Sequence, residues 1–344
     1  MTEVHVVVPG GIDNPRRPSG GNVYDRRVCR GLVALGWSVH EHAVPGQWPR
    51  PDAAARMAVA AALARVTDGG QVLVDGLVAS VVPEVLEPEA DRLRLVVLMH
   101  MPRDEPREVA ALSAASAIVT TSDWTRRWLL DHYALPEDRM YVVPPGVDVA
   151  DVAPPSQSGG RLLCVGAITP VKGHDLLLDA LATIDDLVWQ CACVGSLDLD
   201  GEFVDVLRRQ AEVRGLGERL YFTGPLTGAE LERAYAEADA LVLASHAETY
   251  GMVVTEALAR GLPVVATEVG GVPEALGHAA DGSRPGLLVA PGDPQALAQA
   301  LCRWLGDPRE RARLRAAARS RRLTLSDWSQ TSRELSAVLT EVAG

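Results

Sequence analysis

Short apolar runs alternate with amphipathic stretches along most of the chain. Before residue 150 the apolar runs are VHVVVPG, WSVHEHAV, QVLVDG, LRLVVLMH, SAIVTTS and MYVVPPGV. Stretches with helical spacing separate them, among them 22–35, 52–66 and 123–133. Apolar strands that alternate with helices are typical of parallel strands buried on both faces. We therefore predict a doubly wound α/β domain over residues 1–150.

The alternation is interrupted once and then resumes. Residues 151–160, DVAPPSQSGG, have no periodicity and are rich in proline, serine and glycine, so we interpret them as a linker between domains. Six more apolar runs follow: RLLCVGA, WQCACVGS, RLYFTGP, ALVLAS, LPVVATE and GLLVAPG. They predict a second doubly wound domain over residues 161–325. Residues 326–344 are predicted to form a C-terminal helix, and the first domain is one surface on which it could pack.

The charge balance narrows the classes of partner. The 344 residues include 45 acidic and 33 basic ones, a formal net charge of −12. Nucleic acid and anionic membranes attract a net positive field, so we expect neither as a partner. The arginine-rich segment 303–322 is interpreted as a solvated helical face, because Asp307, Glu310 and apolar residues accompany the arginines.

Cysteine usage and hydropathy predict a cytoplasmic protein. The five cysteines are scattered in apolar contexts without the spacing of a zinc site, which indicates reduced core thiols. The stretch MTEVHVVVPGG lacks a basic leader, and no apolar run approaches the roughly 18 residues that a membrane span requires. We therefore expect no membrane contact. The sequence predicts no particular oligomeric state.

A single lysine stands out in a chain whose other 32 basic residues are arginine. Lys172 lies in VGAITPVKGHDLLLDAL, between an apolar run and a stretch with helical spacing. Gly173 then lies near a helix start, where unpaired backbone N–H groups and the positive end of the helix dipole favour an anion. Lys172 would add a full positive charge there, which suggests a phosphate site. The alternative is an ordinary exposed loop lysine.

A second stretch, HAETYGMVVTEALARGLPVVAT, follows an apolar run in the same way. Glu248 lies in the loop and Glu256 eight residues later in the next helix, with Tyr250, Gly251 and Met252 at the helix start. Carboxylates accept hydrogen bonds from vicinal hydroxyls, and the amides at a helix start bind phosphate. Together the two stretches favour a nucleotide sugar as ligand. Taken singly, Glu256 could be an ordinary helix glutamate.

In combination these motifs resemble those of the retaining GT-B glycosyltransferases of family 4. The resemblance rests on the E-x7-E pair followed by EALARGLPVVAT, on VGAITPVKG about 80 residues earlier and on VVPPGVD before the linker. It implies two Rossmann-like domains facing across a cleft, with the acceptor on the N-terminal domain and the nucleotide sugar on the C-terminal one. It also implies sugar transfer from a nucleoside diphosphate with the anomeric configuration retained, without a metal or another cofactor.

The resemblance assigns roles to residues of the second domain. Lys172 would bind the donor diphosphate, Glu248 the donor sugar and Glu256 the ribose. The backbone at Tyr250 and Gly251 would hold phosphate oxygens. No carboxylate at the matching motif position offers itself as a covalent nucleophile, so same-face attack is preferred, in which the leaving phosphate accepts the proton of the acceptor.

The first domain contributes a histidine and a glycine pair. His100, at the end of VVLMH, matches the family histidine near the transferred sugar; as a bare residue it could be a buried core group. Gly20 and Gly21, in RPSGGNVYDRRV, would allow the backbone to approach the leaving phosphate. The predicted catalytic residues are therefore Lys172, Glu248 and His100, and the predicted donor-binding residues are Gly20, Gly21, Gly166, Thr169, Tyr250, Gly251, Met252 and Glu256.

One position departs from the family pattern. Many members have an arginine directly after the glycine of VG, which clamps the diphosphate together with the lysine. This chain has Ala167 there. We hypothesise that Arg16, Arg17 or Arg103, in loops at strand ends, supplies the missing charge. Ala167 also keeps open an alternative of another class, a catalytically degenerate scaffold that only binds a nucleotide.

Several further features bear on whether a metal, a cofactor or another class of enzyme is expected. Asp198 and Asp200, in SLDLDG, resemble the metal motif of the other large glycosyltransferase fold, and we interpret them as a loop coincidence. A nicotinamide dehydrogenase is disfavoured because no G-x-G-x-x-G follows the first strand. Phosphorylases of the same architecture carry pyridoxal phosphate on a lysine, but the loop of Lys172 suits a phosphate contact better than a buried Schiff base. Epimerases of the fold would need further acid and base groups.

The acceptor site is the least constrained prediction. Asp75, at the end of the apolar run QVLVD, could fix an acceptor hydroxyl, although an aspartate there could equally cap a helix. Asn22, after the glycine pair, is the other candidate. The first domain shows no basic amphipathic surface helix. We therefore expect a soluble sugar, cyclitol or natural product as acceptor, with a glycolipid or cell-envelope acceptor as the alternative.

Overall fold

A computed structural model describes residues 2–344. The chain divides into two compact units. The first comprises residues 2–14, Gly20–Gly146 and Ser326–Gly344, and the second comprises Pro15–Ser19 and Val147–Leu325. In the described part of the chain, each unit contains one parallel sheet of six strands. The doubly wound α/β class predicted from the apolar runs is confirmed.

The first unit has the strand order β2-β1-β3-β4-β5-β6. Helical segments follow each of the first five strands and return the chain to the end of the sheet where the next parallel strand begins. The strands are β1 (Glu3–Pro9), β2 (Ser38–Val44), β3 (Gln71–Asp75), β4 (Arg94–Met99), β5 (Ala117–Thr120) and β6 (Met140–Val142). The helices are α1 (Gly20–Ala34), α2 (Ala53–Leu63), α3 (Gly76–Ala79), α4 (Pro83–Leu86), α5 (Pro106–Ser113) and α6 (Asp123–His132).

The second unit has the order β12-β11-β10-β7-β8-β9. Its strands are β7 (Arg161–Val165), β8 (Gln190–Val194), β9 (Leu220–Gly224), β10 (Ala240–Leu243), β11 (Val264–Thr267) and β12 (Gly286–Val289). Its helices are α7 (His174–Ala182), α8 (Gly201–Val213), α9 (Gly228–Glu237), α10 (Met252–Ala259), α11 (Val272–Leu276), α12 (Pro294–Gly306) and α13 (Pro308–Arg322). All six predicted apolar runs form strands.

The segment predicted as a linker, 151–160, lies inside the second unit. The backbone N–H of Ala153 donates to the carbonyl of Arg260 at 2.9 Å, and the Ser156 hydroxyl donates to Asp239 Oδ2 at 2.5 Å. Asp239 is buried and is also paired with Arg315 at 3.0 Å. A proline- and serine-rich composition therefore does not make this segment free, because its polar groups are bound by the unit that follows it.

The last helix, α14 (Trp328–Ala343), packs on α1 in the first unit. Leu335 and Leu339 of α14 join Val28 and Leu32 of α1 in one apolar cluster against the sheet. The helices approach closely at Gly31, where an added Cβ would overlap the Ser332 side chain. No helix within residues 2–344 combines the length and the hydropathy needed to cross a membrane.

This close approach predicts a stability effect. Gly31→Leu should lower the free energy of unfolding of the first unit by about 1–3 kcal/mol, as overpacking does. The matched control is Gly201→Leu at the start of α8, where an added Cβ meets nothing within 4 Å. Urea unfolding measures both variants, and equal midpoints would contradict the packing of α14 on α1.

Candidate active site

The second unit places two loops side by side where its strand order reverses. β7 pairs with β10, and from these two neighbours the chain proceeds towards opposite edges of the sheet. The loops after their carboxyl ends, 166–173 and 244–251, therefore leave the sheet next to each other. They are joined by the backbone N–H of His246, which donates to the carbonyl of Val171 at 2.8 Å. The stretch predicted to bind phosphate and the stretch that carries Glu248 therefore both lie at the carboxyl ends of the strands.

Lys172 is held by a tight turn before α7. Pro170–Lys172 form one 3-10 turn, and the Lys172 N–H donates to the carbonyl of Thr169 at 3.0 Å. Gly173 follows with φ of 64°, and a Cβ there would overlap the carbonyl oxygen of Ala244. Only glycine combines this left-handed conformation with so close an approach. The loop of β10 therefore fixes where the lysine side chain begins.

The structure brings Lys172 and Glu248 together. Lys172 Nζ lies 2.6 Å from Glu248 Oε1, and the Ser245 hydroxyl donates to the same oxygen at 2.9 Å. The Glu248 side chain is 9% exposed and that of Lys172 is 23% exposed. Ser245 was not predicted; its position directly after the apolar run ALVLA is the only signal it left in the sequence. Without a ligand, the ammonium group is held by a nearly buried carboxylate.

A helix begins shortly after each residue of this ion pair. Gly173 caps α7 and Gly251, with φ of 88°, caps α10, and neither supplies a side-chain acceptor to the first N–H groups of its helix. Gly166 lies beside the lysine stem, since its added Cβ would be 3.7 Å from Lys172 Cδ. Tyr250 is buried beneath the start of α10 and Met252 is the first residue of that helix. Helix starts whose N–H groups have no side-chain cap can bind an anion together with an ammonium group.

A glycine pair that the sequence analysis missed supports the second loop. Gly270, with φ of 53°, passes so close to the Glu248 carbonyl that a Cβ would overlap it, and Gly271 is similarly close to Thr249. The Gly271 N–H donates to the Glu248 carbonyl at 3.1 Å. The signal in the sequence was the doublet in TEVGGVPE, directly after an apolar run. These contacts fix the backbone that carries Glu248.

Glu256 lies on α10 with a partner of its own. Its Oε2 accepts a hydrogen bond from the Tyr235 hydroxyl at 2.7 Å, and Arg260 lies 4.5 Å from the centre of the Tyr235 ring. Burial raises the pKa of the Glu256 carboxyl group, while Tyr235 and Arg260 oppose the rise. Tyr235 was also missed, because nothing in the sequence relates α9 to α10. One carboxylate oxygen of Glu256 is therefore already engaged.

In the first unit, His100 lies against two buried carboxyl groups. It directly follows β4, and Asp75 ends the neighbouring strand β3. His100 Nε2 lies 2.8 Å from Asp25 Oδ1 and 3.7 Å from Asp75 Oδ2. Asp25, on α1, was not predicted as a site residue, because a polar residue in a helix carries no motif. The His100 side chain is 17% exposed, and those of Asp25 and Asp75 are 2% and 4% exposed.

Burial changes the ionisation of all three groups. It raises the pKa of Asp25 to about 7, although a hydrogen bond with Asp75 opposes the rise. It raises the pKa of Asp75 well above the usual range, and the neighbouring Asp25 raises it further. It lowers the pKa of His100, while the charge of Asp75 works in the other direction. Near neutral pH this cluster therefore holds fewer charges than its composition suggests.

Asp75 caps a helix, which was the alternative prediction for this residue. Its Oδ1 accepts from the Leu77 N–H at 2.6 Å and so caps α3. Gly21 and Asn22 lie in the first turn of α1, which begins at Gly20, two residues before the predicted start. An added Cβ on Gly21 would be 3.0 Å from His100 Cδ2. Gly21 therefore leaves room for the histidine ring.

The remaining candidates are placed as follows. Arg103 is paired with Glu105 at 2.7 Å. Arg16 and Arg17 lie in Pro15–Ser19, which belongs to the second unit. Asp200 caps α8 by accepting from the Phe203 N–H at 3.0 Å, which gives it a structural task.

Two groups of side chains among residues 2–344 could hold a metal ion. One is the Asp25, Asp75 and His100 cluster, and the other is Cys164, His174 and Cys193 in the second unit. The latter group is buried between the sheet and α7, with Cys164 Sγ 3.6 Å from His174 Nε2. Cys302, expected in the core, is exposed on α12, whereas the other four cysteines are buried. Core thiols are thus a correct interpretation for four of the five.

Comparison with known proteins identifies the family. Residues 154–321 match the family model for glycosyl transferases group 1, and residues 91–151 match the model for glycosyltransferase family 4. The chain belongs to the family 4 glycosyltransferases. D-inositol 3-phosphate glycosyltransferases from Frankia alni and Kineococcus radiotolerans are 37% and 34% identical to this family 4 chain over 244 and 247 residues. The matched segments cover 66% and 65% of this chain and 59% and 57% of those relatives, so the chain spans less than two thirds of their length.

Solved structures agree on the fold of this family 4 chain. Sucrose-phosphate synthase from Thermosynechococcus elongatus matches with a TM-score of 0.80 at 21% identity, covering 99% of each chain. Anabaena Alr3699/HepE, in complex with UDP-glucose, matches with a TM-score of 0.77 at 18% identity over 99% of this chain and all of that one. The predicted GT-B class, with two Rossmann-like domains, is confirmed.

The Lys172 and Glu248 pair predicts a measurable coupling. Lys172→Met or Glu248→Gln should each lower the free energy of unfolding of the second unit by about 1–3 kcal/mol, because each leaves a partly buried polar group without its partner. The double variant should lose less than the sum, by about 0.5–3 kcal/mol. The control cycle removes the exposed pair Arg214 and Asp179, whose coupling should be below about 1 kcal/mol. Urea unfolding measures both cycles, and additivity at Lys172 and Glu248 would contradict the pair.

Proposed function

We propose that this family 4 chain transfers a sugar from a nucleoside-diphosphate sugar to a hydroxyl group of a cyclitol. The observation that carries the proposal is the position of Lys172, beside the uncapped starts of α7 and α10. An ammonium group close to helix starts that have no side-chain cap is a combination suited to a diphosphate. The Anabaena protein was solved in complex with UDP-glucose, and the names of the relatives state D-inositol 3-phosphate, which supports the two substrate classes.

The proposed chemistry breaks the bond between the sugar C1 and the diphosphate oxygen while the acceptor hydroxyl attacks from the same face. Negative charge grows on the diphosphate as an oxocarbenium-like sugar forms, and preorganised donors at Lys172 and the two helix starts stabilise it. The leaving phosphate takes the proton of the acceptor hydroxyl, so the anomeric configuration is retained and no metal is needed. When the phosphate contacts Lys172, the ion pair between Lys172 and Glu248 weakens. The Glu248 carboxylate can then bind sugar hydroxyls.

We assign the donor to the second unit and the acceptor to the first, where His100 is proposed to hydrogen-bond a substrate hydroxyl. Glu256 is proposed to bind the ribose through the carboxylate oxygen that Tyr235 does not occupy. Ala167 leaves the diphosphate without the family arginine. Arg16 or Arg17 is our preferred replacement, because both belong to the second unit, to which we assign the donor.

Donor binding has a direct test. With chelator present, one of UDP, GDP, ADP and dTDP should raise the melting temperature. At about 100 times its dissociation constant, the ligand should raise the free energy of unfolding by about 2.7 kcal/mol. Lys172→Ala should abolish the shift, whereas Arg214→Ala, which removes an exposed charge from the same unit, should keep it. Because Lys172 is the sole lysine, reductive methylation with 13C-formaldehyde gives it a resolved NMR signal that should move on binding. A shift with NAD alone would overturn the proposal.

Transfer has a separate test. With the donor identified, free inositol, inositol 3-phosphate and a glycolipid are offered as acceptors, and the proton coupling at the new anomeric centre is read by NMR. The expected product is a glycosylated cyclitol with the donor configuration, formed in chelator. Product from the glycolipid alone would replace the acceptor class, and an inverted product would overturn the mechanism. Nucleotide binding without transfer or hydrolysis would favour the degenerate scaffold that Ala167 suggests.

A further inference from the structure

Asp25 and Asp75 form a pair of buried carboxyl groups without a cationic hydrogen-bond partner other than His100 among the described residues. The nearest cation that acts on Asp25 is Arg26, whose guanidinium group is bound to Asp13 and Glu41. Two adjacent buried carboxylates do not both ionise near neutral pH, because neither is solvated and each repels the other. One of the two therefore keeps its proton.

The hydrogen-bond geometry decides which carboxyl group is protonated. Asp25 Oδ1 faces His100 Nε2, while Asp25 Oδ2 is buried and finds no donor in residues 2–344 unless Asp75 supplies one. Asp75 already accepts from the Leu77 N–H on Oδ1, so its Oδ2 is available to carry a proton towards Asp25. A protonated Asp75 that donates to an ionised Asp25 satisfies the orphaned oxygen. The reverse arrangement leaves Asp25 Oδ2 carrying the proton and His100 without an anionic acceptor.

We propose that Asp75 stays protonated and Asp25 ionised, and that Asp25 thereby fixes the proton of neutral His100 on Nε2 and leaves Nδ1 as a hydrogen-bond acceptor for a substrate hydroxyl. Asp25 is thus a positioning residue, and the substrate part of this inference rests on the proposed function. In a histidine, the bond made by one ring nitrogen sets the role of the other. His100 Nδ1 has no hydrogen-bond partner within the described chain.

The surroundings hold the ring in this orientation. Tyr24 packs edge-on against His100 with 5.4 Å between ring centres, and its hydroxyl donates to the carbonyl of Val143 at 2.9 Å, so it does not compete for the ring nitrogens. Gly21 covers the Cδ2 side of the ring. The other titratable groups near the pair are Cys29 and Arg26 on α1, and Glu334 of α14 acts on Tyr24. None of them hydrogen-bonds to His100 in residues 2–344.

The arrangement has a pH dependence with a defined sign. Burial raises the pKa of Asp25 to about 7. As the pH falls through that value, Asp25 takes up a proton and no longer offers an anion to His100 Nε2–H. The kcat/KM for transfer should therefore fall on the acid side of about pH 7, and Asp25→Asn should remove this acid limb.

The decisive experiment reads the tautomer without any substrate. Long-range 1H–15N correlation spectra of 15N-histidine-labelled protein at pH 8 distinguish protonated from unprotonated ring nitrogens, and His100→Asn identifies the signals. We expect His100 protonated on Nε2. Asp75→Asn should preserve this tautomer because its amide N–H still donates to Asp25. Asp25→Asn should weaken or reverse it and should lower kcat/KM roughly 10- to 100-fold, the effect of one charge-assisted hydrogen bond. Asp75→Asn should lower it less.

The outcomes separate this inference from the proposed function. An Nδ1–H tautomer in the native protein, or preservation in Asp25→Asn with loss in Asp75→Asn, overturns the inference whatever the activity. Selective broadening of the His100 signals by micromolar Mn²⁺ overturns it as well, because the cluster would then be a cation site. The expected tautomers in a protein that transfers no sugar support the inference about the carboxyl pair and refute only the proposed function. Thermal unfolding of each variant identifies one that has lost its fold, and the native spectrum then still decides.

Discussion

The parallel pairing of β7 with β10 is the constraint on which the positions of Lys172 and Glu248 depend. Because the chain leaves these neighbours towards opposite edges, the loops after their carboxyl ends lie side by side at the point where ligands of such sheets bind. Their spacing is set by backbone contacts that admit no Cβ, Gly173 against Ala244 and Gly270 against Glu248. The distance between Lys172 and Glu248 is therefore a property of the topology as much as of the two side chains.

The two units bury polar groups in opposite ways. In the second unit the opposite charges of Lys172 and Glu248 compensate each other. An anion can therefore replace Glu248 as the partner of Lys172, and the ammonium group stays charged. In the first unit Asp25 and Asp75 are both acids, and burial raises the pKa of each, so the pair can be buried without carrying two charges. The first arrangement suits a diphosphate. The second suits uncharged hydroxyl groups, for which the direction of each hydrogen bond matters more than net charge.

Sequence periodicity was sufficient for the strands, the order of elements and the fold class, because local patterning determines them. The loop motifs singled out Lys172 and Glu248, but their ion pair joins residues 76 positions apart and depends on strand order. Asp25 left no signal, since its role arises only when α1 packs beside the end of β4. Composition also did not reveal that Ser156, in the predicted linker, hydrogen-bonds to Asp239. The features that the sequence analysis missed all depend on residues that are far apart in the chain and close in space.

The packing of α14 in the first unit has a consequence for biosynthesis. Leu335 and Leu339 complete an apolar cluster that begins with Val4 of β1, yet the whole of Val147–Leu325 is synthesised between the two halves of that cluster. At about 5–20 residues per second the interval is roughly 10–40 s. During it the face of α1 around Gly31 is uncovered, and the whole second unit is synthesised before α14 can cover that face. The unit whose strands emerge first is thus the one whose core closes last.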